Sequence, residues 1–218
     1  MRAAQSFISF PAALRNPGSA IPTAPVIEGR YCRLERLDPR RHAAELFEAD
    51  QLDTSGESWT YLPYGPFTTL AEYRGWIQQV HDSEDPKFYA IVTAGRTAGV
   101  LSFLRVQPEV WAIEVGHVHY SPLLQRRRAA TEAQYLLASH VFDELGYRRL
   151  EWKCDALNAG SRAAAQRLGF SYEGTFRQAT VVKGRNRDTA WLNPDNFDAH
   201  GNQRTPLRSA RSQAAAGT

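Results

Sequence analysis

The stretch from Gln125 to Ala133 places three consecutive arginines and several small residues at the predicted start of a helix. The residues before it, 113–120, have the pattern of a strand. The first turn of a helix leaves backbone N–H groups without partners, and the helix dipole adds positive charge there. Small side chains let a ligand reach those groups, and the arginines attract an anion. The stretch therefore predicts a binding site for a diphosphate.

A second group of polar residues lies further along the chain, where Asn158 and Ser161 stand three positions apart. Either residue is suited to cap the short helix that Gly169 ends. A strand predicted over 149–154 leads into this helix. Taken alone, this spacing indicates an ordinary helix cap.

The rest of the pattern predicts the elements that position these two segments. Alternation predicts strands over 30–37, 88–93, 99–106, 113–120, 149–154, 174–183 and 188–192. Capping residues and helical spacing predict helices that begin at Asp38, at Thr68 or Thr69, after Ala130, and at Asn158 or Ser161. This order is typical of a single α/β domain with a mixed sheet.

Composition divides the chain into three parts. Residues 1–25 are rich in Ala, Pro and Ser and predict a flexible N-terminal arm. The periodic elements occupy residues 26–192, where we expect the folded domain. Residues 193–218 carry hardly any apolar side chain after Phe197, so we expect a disordered C-terminal tail. Asn193 and Pro194 also predict that the last strand is short.

Composition also sets limits on function. A chain of 218 residues is long enough for one domain with a substantial core. The net charge of +3, from 26 basic and 23 acidic residues, is too small to indicate a polyanionic partner by itself. Cys32 and Cys154 form neither a disulfide framework nor a CxxC metal pair, so we expect a reduced, cytoplasmic protein without a metal. No apolar run approaches the ~20 residues of a membrane helix, and no membrane partner is expected.

The two polar segments together resemble the cofactor half of a GNAT-type acyl-CoA N-acyltransferase, closest to the RimJ/RimL-like branch. The match includes Gln125, Ala130, Asn158, Ser161 and the Leu-Gly-Phe sequence at 168–170. The family usually has glycine where this chain has an arginine at position 128. The resemblance extends over residues 30–192 and implies a GNAT-type single α/β domain, whose mixed central sheet is flanked by helices.

The resemblance also implies an activity. We expect an N-acetyltransferase that moves an acetyl group from acetyl-CoA to a primary amine, by direct attack in a ternary complex. The acceptor is then a protein N-terminus or a small-molecule amine, and a homodimer is compatible with the family. The residues expected to hold acetyl-CoA are Val118, Gln125, Arg126, Arg127, Arg128, Ala129, Ala130, Thr131, Asn158 and Ser161.

Catalytic residues are also assigned through the resemblance. Glu114 is the expected general base, because its strand lies beside the thioester in this fold, and His117 and His119 are the alternatives. Regular alternation would put the two histidines on the face opposite to Glu114, and a bulge would change this. The family's tyrosine acid is replaced by Ala165, so Ser161 is expected to donate a hydrogen bond to the departing thiolate. The alternative roles are purely structural: Glu114 would pair with an arginine, each histidine would be packed or hydrogen-bonded, and Ser161 would only cap its helix.

The acceptor side is predicted from aromatic and basic residues. Trp59, Tyr61 and Tyr64 either form a wall at the acceptor entrance or fold onto their own hydrophobic patch. Arg185 either attracts an acidic acceptor or is simply solvated. Two other functions remain open at this point. One is acyl transfer from an aminoacyl-tRNA, whose binding would fall steeply with salt, and the other is a non-catalytic sensor that binds coenzyme A.

Overall fold

Eight strands form one mixed sheet in the computed structural model, which describes residues 20–194. The strands are β1 (Val26–Glu28), β2 (Arg33–Arg36), β3 (Lys87–Thr93), β4 (Arg96–Gln107), β5 (Ala112–Tyr120), β6 (Arg149–Asp155), β7 (Phe170–Val182) and β8 (Arg185–Pro194). The α-helices among these residues are α1 (Ala43–Asp50), α2 (Leu70–His81), α3 (Arg128–Ser139) and α4 (Ala159–Arg167). The order across the sheet is β1-β2-β3-β4-β5-β6-β8-β7, and only β5 and β6 pair in parallel. The predicted mixed sheet flanked by helices is confirmed.

Two predicted elements begin later than expected. The strand predicted over 30–37 begins only at Arg33, as β2, because the Glu132 carboxylate accepts hydrogen bonds from the backbone N–H groups of Arg30, Tyr31 and Cys32. The helix predicted from Asp38 begins at residue 43. The Asp38 carboxylate accepts hydrogen bonds from the backbone N–H groups of Arg40 and Arg41, which closes a turn before the helix.

The last strand is longer than predicted. Strand β8 continues to Pro194, whose partner in the ladder is Phe170 at the start of β7. Proline is tolerated there because the end of a strand does not need its N–H group. The residues at 193 and 194, expected in the tail, therefore belong to the sheet. The rest of the tail, 195–218, and residues 1–19 of the predicted arm lie outside the described residues.

Helix α3 packs on one face of the sheet through the side chains that its spacing predicts. Ala133 and Leu137 are fully buried, and Val141 continues the same face in a short π-helical segment after the helix. Gly146, with φ of 72°, ends this segment as predicted. Helices α1 and α2 cover the opposite face with a second, aromatic core. The sheet therefore lies between two hydrophobic cores.

A bulge in β5 opens the sheet beside the parallel pair. Strands β5 and β6 pair only as far as Val115 and Trp152. Beyond that point the register of β5 with β4 shifts, and His117 adopts a positive φ of 51°. A bulge bends a strand and increases its twist, so β5 separates from β6 and leaves a cleft between them.

Candidate active site

A cavity of about 870 Å³ occupies this cleft. Its walls are residues 118–120 of β5, the loop and first turn of α3, and the start of α4. The segment 57–61, between α1 and α2, closes another side. Both polar segments singled out in the sequence therefore line one cavity.

The N-terminus of α3 presents free donors to this cavity. Its N-cap residue, Arg127, has extended backbone angles and makes no side-chain capping bond. Helices α2 and α4 differ, since Thr69 caps α2 in a capping box and the Asn158 side chain caps α4. The Ala130 N–H donates to the Arg127 carbonyl at 3.1 Å, whereas the N–H groups of Arg128 and Ala129 have no acceptor within the helix. These two donors and the dipole of the helix thus remain available to an anion.

The arginines at this helix start are exposed and line the cavity. The guanidinium of Arg128 leans over the ring of Tyr31, with its central carbon 5.9 Å from the ring centroid. An arginine is therefore accommodated where the family usually has glycine. The Gln125 side chain donates to the carbonyl of Tyr120 at 2.9 Å, which ties the loop to the end of β5.

One of the residues expected to hold the cofactor faces away from the cavity. Ala129 is 4% exposed and packs in the core, and its carbonyl accepts a hydrogen bond from the Cys32 thiol. The other nine line the cavity: Val118, Gln125, Arg126, Arg127, Arg128, Ala130, Thr131, Asn158 and Ser161.

Ser161 is held in place from two sides. Its backbone N–H donates to the Asn158 side chain at 2.9 Å, and its hydroxyl oxygen accepts the indole N–H of Trp152 at 2.9 Å. The hydroxyl also forms a hydrogen bond with the buried Cys154 thiol, whose pKa burial raises and Ser161 lowers. A ligand that accepts the Ser161 proton would take the place of this sulfur. Capping of the helix and a hydroxyl aimed at a ligand are therefore compatible roles for this residue.

Glu114 lies in an ion-pair network rather than on the cavity wall. Its carboxylate is 2.6 Å from an Arg105 nitrogen and 2.9 Å from the Lys153 ammonium, and the residue is 3% exposed. Lys153 also contacts Glu151 at 2.7 Å. The residues that line the cavity do not include Glu114, so its position gives no support to a role as general base.

We expect Glu114→Gln to lower the free energy of unfolding by about 1–3 kcal/mol, because a charged hydrogen-bond acceptor is lost next to Lys153. Turnover at saturating substrate should change little. Urea unfolding and steady-state kinetics on the same preparation measure both effects. A fall in turnover of about 10²-fold would restore Glu114 as the base.

His117 is packed among aromatic rings. Its Nδ1 lies 3.2 Å from the Tyr64 hydroxyl, and its ring stacks on Tyr64 with centroids 5.6 Å apart. Burial lowers the pKa of His117 to about 4, so the imidazole is neutral. It does not line the cavity. Regular alternation, which would put His117 on the face opposite to Glu114, is interrupted by the bulge. Val115 and Val118 both pack in the core that contains α3, so His117 lies on the same face of the sheet as Glu114.

His119, the other alternative, does line the cavity. Its Nε2 lies 3.0 Å from the Ser58 hydroxyl and its Nδ1 lies 3.6 Å from a carboxylate oxygen of Asp50. The Trp59 indole stacks on the imidazole with centroids 3.7 Å apart. Burial lowers the pKa of His119 to about 4. The ring is thus neutral, fixed in orientation and next to the cavity.

The aromatic segment has a structural and a cavity-facing part. Trp59 is 3% exposed and belongs with Tyr64 to the second core, which agrees with a segment folded onto its own patch. Tyr61 lines the cavity, and its hydroxyl donates to the Leu157 carbonyl across the cleft at 3.1 Å. Arg185 is exposed at the start of β8 and does not reach the cavity wall.

Sequence reasoning did not select Ser58 or Asp50. A signal for Asp50 exists, because the spacing from Ala43 and Leu46 along α1 puts it on the buried face, where an acidic residue needs a partner. Burial raises the pKa of its carboxyl to about 7. Ser58 carries no comparable signal in an irregular segment. No helix among residues 20–194 is both long enough and apolar enough to span a membrane.

Comparison with known proteins identifies the family of this site. Residues 33–171 match the family model described as acetyltransferase (GNAT) domain. A crystal structure of a GCN5-related N-acetyltransferase from Brucella melitensis is 41% identical, with a TM-score of 0.78 over 88% of this chain and 96% of that one. A RimL ribosomal L7/L12 alpha-N-protein acetyltransferase is 25% identical, with a TM-score of 0.66 over 77% of this chain and 92% of that one. The relative named uncharacterized N-acetyltransferase p20, from Bacillus licheniformis, is 25% identical over 167 residues, which are 70% of this chain and 91% of the relative.

The family model covers well over half of the chain, and its range ends after the cavity-lining residues of α3 and α4. The relatives that match over most of their own length are N-acetyltransferases by name. The chain therefore belongs to the GNAT family of acyl-CoA-dependent N-acyltransferases, with RimL-type enzymes among its structural neighbours.

Proposed function

We propose that this enzyme transfers an acetyl group from acetyl-CoA to a primary amine on a peptide or small molecule, by direct attack in a ternary complex. One observation carries the proposal: the uncapped, arginine-rich start of α3 opens into the same cavity as Ser161. Acetyl-CoA carries a diphosphate near one end and a thioester at the other. The diphosphate fits the start of α3, and the thioester fits the part of the cavity next to Ser161.

The donor is held by different groups along its length. The diphosphate accepts from the first-turn N–H groups of α3 and from Arg126, Arg127 and Arg128. The pantetheine arm lies between β5 and β6, where the backbone of β5 beyond Val115 no longer pairs with β6. The backbone N–H groups of the bulged strand are suited to donate to the thioester oxygen as it gains charge.

Ser161 acts on the leaving group. As the C–N bond forms and the C–S bond breaks, negative charge develops on the sulfur of coenzyme A. The Ser161 hydroxyl donates a hydrogen bond to that sulfur, while Trp152 holds its oxygen. The proton that finally converts the thiolate to a thiol comes from the attacking nitrogen, so no covalent enzyme intermediate is needed.

The acceptor approaches from the segment between α1 and α2. Glu57, Ser58 and Tyr61 line the cavity on that side, and an acidic side chain there favours a protonated amine. The RimL enzyme among the neighbours is named for alpha-N-acetylation of a ribosomal protein, which makes a protein N-terminus the first acceptor to test.

The proposal is tested by mixing the enzyme with acetyl-CoA and a panel of primary amines. The panel contains a short peptide with N-terminal serine, a polyamine and an aminoglycoside, and the readouts are free thiol and the acetylated mass of the acceptor. Acetylation of at least one amine is expected. Tight binding of acetyl-CoA without any acetylated product from the panel would favour the sensor, and retention of tRNA at low salt alone would favour a tRNA-borne donor.

We expect Ser161→Ala to lower kcat by about 10²-fold while the Kd of acetyl-CoA stays near that of the wild type. The alanine keeps the backbone N–H that Asn158 caps, so the helix start is preserved. Stopped-flow detection of free thiol, with calorimetry for binding, separates the two parameters. A large loss of binding with unchanged kcat would reduce Ser161 to a contact for the pantetheine arm.

A further inference from the structure

We propose that Ser58, His119 and Asp50 form a proton relay that takes the proton from the acceptor amine. The proposal rests on the acetyl transfer proposed above and assigns its general base. Ser58 is the residue of the three that meets the amine, His119 accepts the proton through it, and Asp50 positions the imidazole.

Of the two links between these side chains, the one from Ser58 to His119 is within hydrogen-bond distance and the one from His119 to Asp50 is just beyond it. The Ser58 hydroxyl lies 3.0 Å from His119 Nε2, and Asp50 Oδ1 lies 3.6 Å from His119 Nδ1. Asp50 Oδ1 and His119 Nδ1 are both buried, and neither has another hydrogen-bond partner among the described residues. Because buried polar atoms are almost always paired, we infer that these two atoms pair with each other in the working enzyme.

The relay is held in place at Asp50 and His119, and it opens to the cavity at Ser58. The Tyr73 hydroxyl donates to Asp50 Oδ2 at 2.9 Å, so the carboxylate has a defined orientation. The stacked indole of Trp59 fixes the plane of the imidazole and stabilises a passing positive charge on it. Ser58 and His119 line the cavity, whereas Asp50 is buried behind them.

The proton balance of the reaction is complete with this relay. The ammonium of the acceptor gives one proton to the Ser58 oxygen, while Ser58 gives its own proton to His119 Nε2. The neutral amine then forms the C–N bond, the C–S bond breaks, and the second nitrogen proton passes to the coenzyme A sulfur. The imidazolium later releases its proton to solvent, so each turnover yields amide, thiol and one proton.

The protonation of Asp50 decides whether the relay works. Ionised Asp50 accepts the Nδ1 proton of His119, which leaves Nε2 free to accept from Ser58. Protonated Asp50 instead donates to Nδ1 and drives the imidazole proton to Nε2. Burial raises the pKa of Asp50 to about 7 and lowers that of His119 to about 4. The tautomer of His119 with a free Nε2, which can accept the proton of Ser58, is therefore present above pH 7 and is lost as the pH falls through the pKa of Asp50.

Other ionisable groups surround the pair and have to be considered. Asp53, in the turn after α1, raises the pKa of both His119 and Asp50 through its charge. Tyr73 from α2 lowers the pKa of Asp50 through its hydrogen bond, and Glu57 lines the cavity beside Ser58. None of these groups is altered by the substitution at position 50 proposed next.

The decisive variant is Asp50→Asn. The Tyr73 hydroxyl needs an acceptor, so the amide oxygen of Asn takes the Oδ2 position and its NH₂ group faces His119 Nδ1. The imidazole then carries its proton on Nε2 and has no lone pair for Ser58. We expect kcat/KM to fall by about 10²- to 10⁴-fold above pH 7. Because ionisation of a buried carboxyl opposes folding above its raised pKa, the variant should melt no lower than the wild type at alkaline pH.

The experiment is the pH dependence of the ratio of kcat/KM between wild type and Asp50→Asn. The acceptor is whichever amine of the panel is turned over fastest, and its own titration cancels in the ratio. We expect the ratio to rise through pH 7 and level off above it. His119→Gln should lose turnover to a similar extent with unchanged acetyl-CoA affinity. The matched control is His140→Gln, which replaces a buried histidine in the segment after α3 and should keep the turnover of the wild type. A ratio that is constant with pH would overturn the relay and leave the acetyl transfer standing.

A second readout does not depend on turnover. Nitrogen NMR of the imidazole should show the proton of His119 on Nδ1 in the wild type at alkaline pH and on Nε2 in Asp50→Asn. A proton on Nε2 in the wild type would overturn the relay. Failure of the wild type to acetylate any amine while the proton lies on Nδ1 would count against the proposed function instead.

Discussion

Ala130→Asp is expected to raise the Kd of acetyl-CoA by more than about 10²-fold, which corresponds to about 3 kcal/mol. Ala130 is the third residue of α3, it is 9% exposed and it lines the cavity. A carboxylate at this position would face the diphosphate and fill the space that a small residue leaves. The repulsion acts in a partly enclosed site, where it is weakly screened.

The substitution should not disturb the fold. An acidic residue in the first turn of a helix interacts favourably with the helix dipole. Circular dichroism of the apo protein is therefore expected to match the wild type, while burial of a carboxylate at a position only 9% exposed lowers the melting temperature. Ala71→Asp makes the same change in the first turn of α2, at an exposed position, and should leave acetyl-CoA binding intact. Unchanged affinity in Ala130→Asp would remove the diphosphate from this helix.

Trp59→Ala is expected to lower the free energy of unfolding by about 3–5 kcal/mol, the usual cost of removing a large buried aromatic side chain. The indole makes edge contacts with the rings of Phe67 and Tyr73 and stacks on His119. Gly65, with φ of 64°, lies so close that a Cβ there would come within 2.3 Å of the indole. The segment between α1 and α2 is packed around Trp59, so removal of the indole leaves a cavity.

Activity should fall with stability in Trp59→Ala, because the imidazole of His119 loses the ring that fixes its plane. Urea unfolding measures the first effect and acetyl transfer below the unfolding transition measures the second. Leu157→Ala, at a position 80% exposed, is the control and should change the free energy of unfolding by less than about 0.5 kcal/mol. A loss below about 1 kcal/mol in Trp59→Ala would mean that this residue is an acceptor wall rather than part of the core.

The local features of the fold could be predicted from the sequence. Helical spacing indicated that Ala133 and Leu137 are buried, and both are. Capping residues indicated the starts of α2 and α4, where Thr69 and Asn158 make the expected bonds. These predictions succeed because a cap or an apolar face depends on residues within one or two turns of each other.

The parts that could not be predicted depend on contacts between distant residues. Strand β2 begins late because Glu132, about a hundred residues away, takes the N–H groups before it. Glu114 is held by Lys153 because β5 and β6 pair in one particular register. The contacts of His119 come from α1 and the segment after it. None of these contacts leaves a pattern within a short window of sequence.

The central claim is that acetyl-CoA binds with its diphosphate at the first turn of α3. The most direct measurement is a crystal structure of the complex with acetyl-CoA. We expect diphosphate oxygens at about 3 Å from first-turn backbone nitrogens of α3, and the thioester sulfur within reach of the Ser161 hydroxyl. A carrier bound with its diphosphate away from this helix, or with its sulfur outside the cleft between β5 and β6, would contradict the account.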